Sequence, residues 1–202
     1  SQYIEAKKEE KASIISGQLL LLCGIIGVIF NVVLYFASPF ILKAMNATGY
    51  LYHYSLTYLR IRSFELPALF LFYAYQATRQ SMGDTVTPVI INVTSIVLNI
   101  ILTAIFIYIF NMDVAGAAIG TMIGNIVVIP FCILHLTKAK QIKLTKKAIT
   151  PNLYYSKKIV VFGVPAAIAQ AFTNLGFLII NGMMAGFDQS ILTPITIGNR
   201  IN

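Results

Sequence analysis

Charge is scarce in this chain. Asp, Glu, Lys and Arg make up 11% of its 202 residues, where a soluble domain carries about 25%. So few charges cannot cover a compact core with hydrated surface, which excludes an ordinary soluble domain. Acids are rarer than bases, seven against fifteen, and the net charge is +8. The excess does not spread into a nucleic-acid footprint; it gathers in short segments between apolar runs. Trp is absent, so an aromatic belt at a membrane surface falls to Tyr and Phe, such as Tyr35, Tyr50, Tyr58 and Tyr154. The two cysteines, Cys23 and Cys132, lie inside apolar runs without metal or redox spacing and read as small buried hydrophobes. Of the two histidines, His53 reads as a solvated residue of an external loop and His135 as the cytoplasmic end of the fourth span. With no nucleophile–base pair, phosphate loop or metal cluster in the sequence, an enzyme finds no support.

What is abundant is long apolar sequence. A helix needs about 20 apolar residues to cross a bilayer, and Thr85 to Met112 contains no charge at all. The expected fold is all-α and polytopic in the membrane. Spans are expected at about 13–37, 56–80, 88–110 and 114–136, then at 158–187 and from 191 onward. Residues 138–157 form a basic linker between the first four spans and the next two, and 138–158 holds seven lysines and no acid. Gly83, Thr87 and Pro88 suit a turn, a cap and a first helical turn. Asn111, Met112 and Asp113 suit a tight reversal with Asp113 as cap, which makes the third and fourth spans an antiparallel pair. Eleven Lys and Arg fall on one side of this topology and three on the other. The lysine-rich side is therefore expected to be cytoplasmic in a cell membrane. The opening SQYIEAKKEEK does not read as a signal peptide, and the last residues fall inside a new apolar run. Both ends read as cuts in a longer transporter-like chain.

Polar residues inside the spans carry the functional signal. Asn92, Ser95, Asn99 and Thr103 recur at spacings of three and four, so they share one face of the third span. Lipid rejects such a stripe, which points it at a bundle interior or a wet cavity. Gly116, Gly120 and Gly124 form a small-residue ridge on the fourth span, a packing device. Thr121 and Asn125 lie beside that ridge and could complete a polar pocket with Asn99 and Thr103. Glu65 is the one acid well inside a span. An intramembrane carboxylate is a candidate for proton or substrate handling, although Arg62, three residues earlier, could simply pair with it. Pro67 should disturb the helix just after it. On the fifth span Gln170, Asn174 and Asn181 share a face, either a cavity wall or interhelical glue.

These residues also carry a resemblance. Gly83-Asp84-Thr85-Val86-Thr87-Pro88 resembles the G-D-T-x-T-P loop of multidrug and toxic compound extrusion (MATE) transporters, with Arg79 as the Arg that precedes it. Val114-Ala115-Gly116-Ala117-Ala118 is similar to the start of that family's sixth helix, Gly163-Val164-Pro165 to the opening of its seventh, and Ile197-Gly198-Asn199-Arg200-Ile201 to part of its eighth. The resemblance implies the third to seventh helices and part of the eighth in a twelve-helix, two-lobe antiporter with alternating access. It implies coupling to Na+ or H+ and no other cofactor. In several members the cation site joins an Asp of the first helix to an Asn and an acid one turn apart on the fifth and a Thr on the sixth. The Asn resembles Asn99, the Thr resembles Thr121, and Thr103 stands where the second acid would be; the Asp would precede this chain.

The expected function is export of organic, drug-like compounds, cationic or amphipathic, in exchange for Na+ or H+. Asn99, Thr103 and Thr121 are the candidates for a Na+ or water, with Asn125, Glu65, Gln170 and Asn174 as further cation or substrate ligands. The expected partners are the small substrate, the bilayer and the remainder of the chain, with no nucleic acid. The alternatives are a flippase for polysaccharide or lipid-linked precursors and a non-transporting membrane scaffold.

Overall fold

The computed structural model describes residues 9–138 and 150–184. The described residues form helices and connecting turns. Helix α1 is Glu9–Ala44, α2 Gly49–Ser63, α3 Leu66–Ser81 and α4 Val86–Ala104; α5 is Asp113–Lys138 and α6 Leu153–Met184. A π-helical turn, Ile105–Ile109, extends α4. With that turn, α4 joins α1, α5 and α6 as helices long and apolar enough to cross a membrane. Large apolar side chains such as Phe36, Phe40, Val93 and Ile100 stand exposed along α1 and α4. That is the inverse of a soluble fold and suits faces turned to lipid or to further helices. The chain is a multi-pass membrane protein.

The segment expected as one span at 56–80 is two helices. Its first half also begins earlier, at Gly49, where φ is +58°. The break falls at Phe64 and Glu65, and its cause is Pro67. Proline has no N–H, so the carbonyl of Ser63 loses its partner one turn on, and the ring crowds that carbonyl. The chain tightens instead: Phe64 N donates to Ile61 O and Glu65 N to Arg62 O, each at 3.2 Å. The Ser63 hydroxyl turns back to Arg60 O at 2.7 Å. Against the break lies Gly27 of α1. A Cβ there would sit 2.7 Å from the Cα of Pro67 and 3.2 Å from Phe70 Cβ.

The Gly83 turn forms as expected, with φ +83°. Its cap is not Thr87, however. Thr87 supplies the backbone N–H, and Asp84 Oδ1 accepts it at 3.0 Å. A carboxylate one residue after the glycine reaches the orphan amides of the next helix better than a side chain already inside it. Asp84 Oδ2 also accepts from Arg79 Nε at 3.0 Å and pairs with Arg79 Nη2. Pro88 is buried in the first turn of α4. The reversal between α4 and α5 places Asn111 and Asp113 at φ 52° and 43°, a left-handed conformation that Asn and Asp tolerate better than most residues.

Residues up to Ser156 form one compact unit, and a second begins at Lys157. In the first unit α1 packs on α2 and α3, α4 on α5, and α5 also on α2 and α3. Its buried core joins Ala68, Phe72 and Tyr75 of α3 to Ile129, Cys132 and Leu136 of α5. Gln18 of α1, fully buried, holds the segment that leads into α6. Its Nε2 donates to Thr150 O at 2.6 Å, and its Oε1 accepts from Asn152 N at 2.9 Å and Ser156 Oγ at 3.1 Å. In the second unit α6 continues through Pro165. The centre of the expected basic linker, the span from residue 191 and the Ile197–Ile201 motif lie outside the described residues, as do Lys7, Lys8 and Asp188.

Two expectations follow. Gly27→Val forces a methyl group onto the backbone of Pro67. It should cost about 1–3 kcal/mol of stability, while Gly24→Ala, which would meet only Leu71 Cδ2 at 3.6 Å, should stay within about 0.5 kcal/mol; thermal melting of the full-length protein in detergent checks both. The second concerns Asp84, in its loop outside the spans. Hydrogen bonds from Thr87, and then from Arg79, hold its carboxyl well below the usual carboxylate range. A depressed folded pKa stabilises at pH above the unfolded value, about 3.9, and that stabilisation is lost as pH falls below it. The melting difference between wild type and Asp84→Asn should therefore be flat across neutral pH and shrink below about pH 4.

Candidate functional site

The polar stripe of α4 meets the glycine ridge of α5. A Cβ on Gly120 would lie 2.6 Å from Thr103 Oγ1 and 2.7 Å from Thr103 N. A Cβ on Gly124 would lie 3.2 Å from Asn99 Cα, and one on Gly116 would lie 3.1 Å from Phe106. At Gly120 only glycine permits this approach; at Gly116 and Gly124 a side chain would require the facing residue to give by a few tenths of an ångström. The expected neighbourhood of Asn99 and Thr103 with the fourth span is thus present, at backbone contact. The hydroxyl of Thr103 is buried there and makes no hydrogen bond. Thr121 does not bond across the interface; its hydroxyl donates to Ala117 O of its own helix at 2.9 Å.

One turn along the seam the two helices do bond. Ser95, buried, places Oγ 2.9 Å from Gly124 O and 3.1 Å from Asn125 Oδ1. Asn125 Nδ2 in turn donates to Glu65 Oε2 at 3.2 Å. That same oxygen accepts from Arg62 Nη1 at 2.8 Å. Glu65 is 2% exposed. The helix break thus turns a carboxylate inward, and a chain of four polar side chains runs from α2 through the break to α5 and α4. Both readings of Glu65 meet in this geometry: it is paired with Arg62, and it is also tied to the α4–α5 seam. Such a pair is stable only while every member is satisfied, because an ion stripped of its partner in a dry interior is costly.

Beside the seam lies a cavity of about 80 Å³ among α3, α4 and α5. Gln76, Asn92, Ser95 and Asn125 line it, with Phe72 and Tyr73 on its apolar side. Asn92 therefore continues the stripe into an opening instead of a helix contact. Gln170 and Asn174 belong to the second unit, exposed on α6 and one turn apart. Gln170 Nε2 lies 3.4 Å from Asn174 Oδ1. The side chain of Asn181 lies outside the described residues.

Sequence reasoning missed three participants. Gln76 sits on the mixed surface of α3, and nothing in its spacing marks it. Tyr75, fully buried, meets His135 Nδ1 at 2.9 Å from its hydroxyl; the two are 60 residues apart, and no local pattern joins them. Gln18 offered a usable signal, a lone amide in a charge-free apolar run. Among the described residues no group of three His, Cys, Asp or Glu side chains gathers to hold a metal.

The described helices thus form a membrane bundle with a polar seam between α4 and α5 and a buried carboxylate tied to it. The MatE family model matches residues 1–105, just over half of the chain, and the chain belongs to that family. It is 28% identical over 200 residues to the multidrug export protein MepA of Staphylococcus saprophyticus, covering 98% of this chain and 43% of that one. It is 26% identical over 204 residues to the probable multidrug resistance protein YoeA of Bacillus subtilis, covering 97% of this chain and 44% of that one. Among solved structures, a MOP superfamily transporter from Pyrococcus furiosus superposes with a TM-score of 0.85 at 22% identity, over 98% of this chain and 45% of that one. This chain spans less than half the length of the curated relatives it matches.

The polar chain makes a clear demand on stability. Arg62→Leu leaves Glu65 buried without its cation and should cost about 3 kcal/mol, whereas the double replacement Arg62→Leu/Glu65→Leu should recover most of the loss. Thermal melting of the full-length protein, with the two single and the double variants side by side, reads the coupling directly.

Proposed function

We propose that this chain is part of a secondary active exporter of drug-like organic compounds, cationic or amphipathic, driven by exchange for Na+ or H+. The observation that carries the reading is the polar seam between α4 and α5, set in an otherwise apolar bundle and linked to a buried carboxylate. A buried carboxylate tied to that seam is a candidate for handling an ion or substrate, where neutral side chains would suffice as glue. Membership of the MatE family and relatives named as multidrug export proteins support the same reading.

In this reading Asn99, Thr103 and Thr121 contact the coupling ion or a water beside it. The buried, unbonded hydroxyl of Thr103 supports that placement, since a buried polar atom without a partner is a site for a ligand or water. Glu65 and Asn125 hold the charge balance of this half, and Gln170 and Asn174 face substrate. Coupling arises because the ion stabilises one access state and the substrate the other, so each displaces its rival. The lysine-rich loops are cytoplasmic, and residues 138–157 link two lobes.

Asn99→Ala in the full-length protein should lower cation-driven export of a fluorescent cationic dye by about tenfold, the effect of losing roughly one good ligand contact. Unchanged export at normal expression would remove Asn99 from the ion path.

A further inference from the structure

A second cavity opens among α1, α3 and α5. It holds about 390 Å³, within the range of sites that take a sizeable ligand. Gly17, Leu21, Gly24 and Ile25 of α1 line it, with Leu71 of α3 and Ile133 of α5. Among the described residues, none that lines it has a polar side chain. Sites for drug-like molecules place a few polar groups to fix orientation. This one offers none, so it fits plain hydrocarbon. Ile25 and Ile133 are half-exposed, so it opens to the outside of these helices.

Gly24 keeps the hollow clear. Packing does not demand glycine there, since a Cβ would meet only Leu71 Cδ2 at 3.6 Å, an ordinary contact. Gly27 shows the opposite case, with the backbone of Pro67 in the way. Glycine weakens a helix interior relative to alanine, and what it leaves at Gly24 is open space along an apolar wall.

The rim of the cavity is basic. Helix α5 runs from Ile133, in the wall, to its end at Lys138, about 7.5 Å further along the axis. The chain then returns to the other wall: Gln18, next to Gly17, donates to Thr150 O at 2.6 Å. Between these two points the sequence carries Lys140, Lys143, Lys146 and Lys147 and no acid. Other charges on this side cancel. The first eleven residues hold three acids and three lysines, and Arg79 is paired with Asp84. The lysines that leave one wall and come back to the other are therefore the excess. An apolar slot with a basic rim matches a lipid that joins an acyl chain to a negative headgroup.

We propose that this cavity is a binding site for an anionic phospholipid, with one acyl chain laid along α1 between Leu71 and Ile133 and the phosphate among the lysines that follow α5. Binding of such a lipid needs neither transport nor a coupling ion.

The test incubates the purified full-length protein in detergent with equimolar dioleoyl phosphatidylglycerol and dioleoyl phosphatidylcholine and counts bound lipid by native mass spectrometry. The two probes share their chains and differ in headgroup charge. Phosphatidylglycerol should be retained about tenfold over phosphatidylcholine, the effect of one or two lysines on one negative charge. The preference should fall as salt rises. Gly24→Phe fills the cavity and should bring phosphatidylglycerol down to the phosphatidylcholine level. Ile133→Phe does the same from the facing wall, should Gly24→Phe not fold, and melting of each variant reports its fold. Replacing Lys140, Lys143, Lys146 and Lys147 by Gln should abolish the headgroup preference and leave the phosphatidylcholine count unchanged. Equal retention of the two lipids by the wild type would overturn the proposal. So would a phosphatidylglycerol preference that survives in folded Gly24→Phe or Ile133→Phe protein: the lysines would then gather lipid at the surface, and other helices of the full-length protein, not lipid, would fill the cavity.

Discussion

A polar group inside a lipid-solvated bundle must find its partner within the protein, and here the contact of α4 with α5 supplies it. Three glycines on α5 bring the two backbones to touching distance. At that distance the short side chain of Ser95 reaches the carbonyl of Gly124. Asn125 then lies near enough to pass the connection on to Glu65. Wider spacing would strand the same side chains in hydrocarbon. The glycine ridge is thus a packing device in origin, and the polar seam depends on it.

The second dependence is on Pro67. Without the break it causes, Glu65 would be one more position on a continuous helix. With it, α2 and α3 are separate elements, and the carboxylate turns into the bundle against α5. Gly27 of α1 receives the break at close range. A helix-breaking residue, a close-packing residue and a buried acid therefore act as one unit, although only two of the three are neighbours in sequence.

Much of this was legible before any coordinates. The long charge-free runs mark membrane helices, and the stripe spacing puts Ser95, Asn99 and Thr103 on the face that meets α5, with Asn92 continuing it into the cavity beside the seam. The turn at Gly83 and the reversal at Asn111 to Asp113 follow from residues that accept positive φ. Other features were not legible, for physical reasons. Pro67 marked a disturbance in the sequence, but apolar character summed over 56–80 does not say whether the ladder bends or parts at Ser63, so the stretch read as one span. Asp84 reaches Thr87 by loop geometry, which propensity alone does not rank above the hydroxyl of Thr87. Gln76, and the pairing of Tyr75 with His135, belong to tertiary packing over long separations. Thr121 and Asn125 look equivalent in sequence, yet one bonds within its helix and the other across it.

The central claim is that the polar seam serves ion-driven export. Its most direct test is efflux of a fluorescent cationic dye from vesicles carrying the full-length protein, with Na+ and pH gradients imposed separately. The account predicts that at least one gradient drives dye out against its own concentration difference and that collapsing that gradient stops it. Dye that stays inside under both gradients, in vesicles shown to contain folded protein, would contradict it.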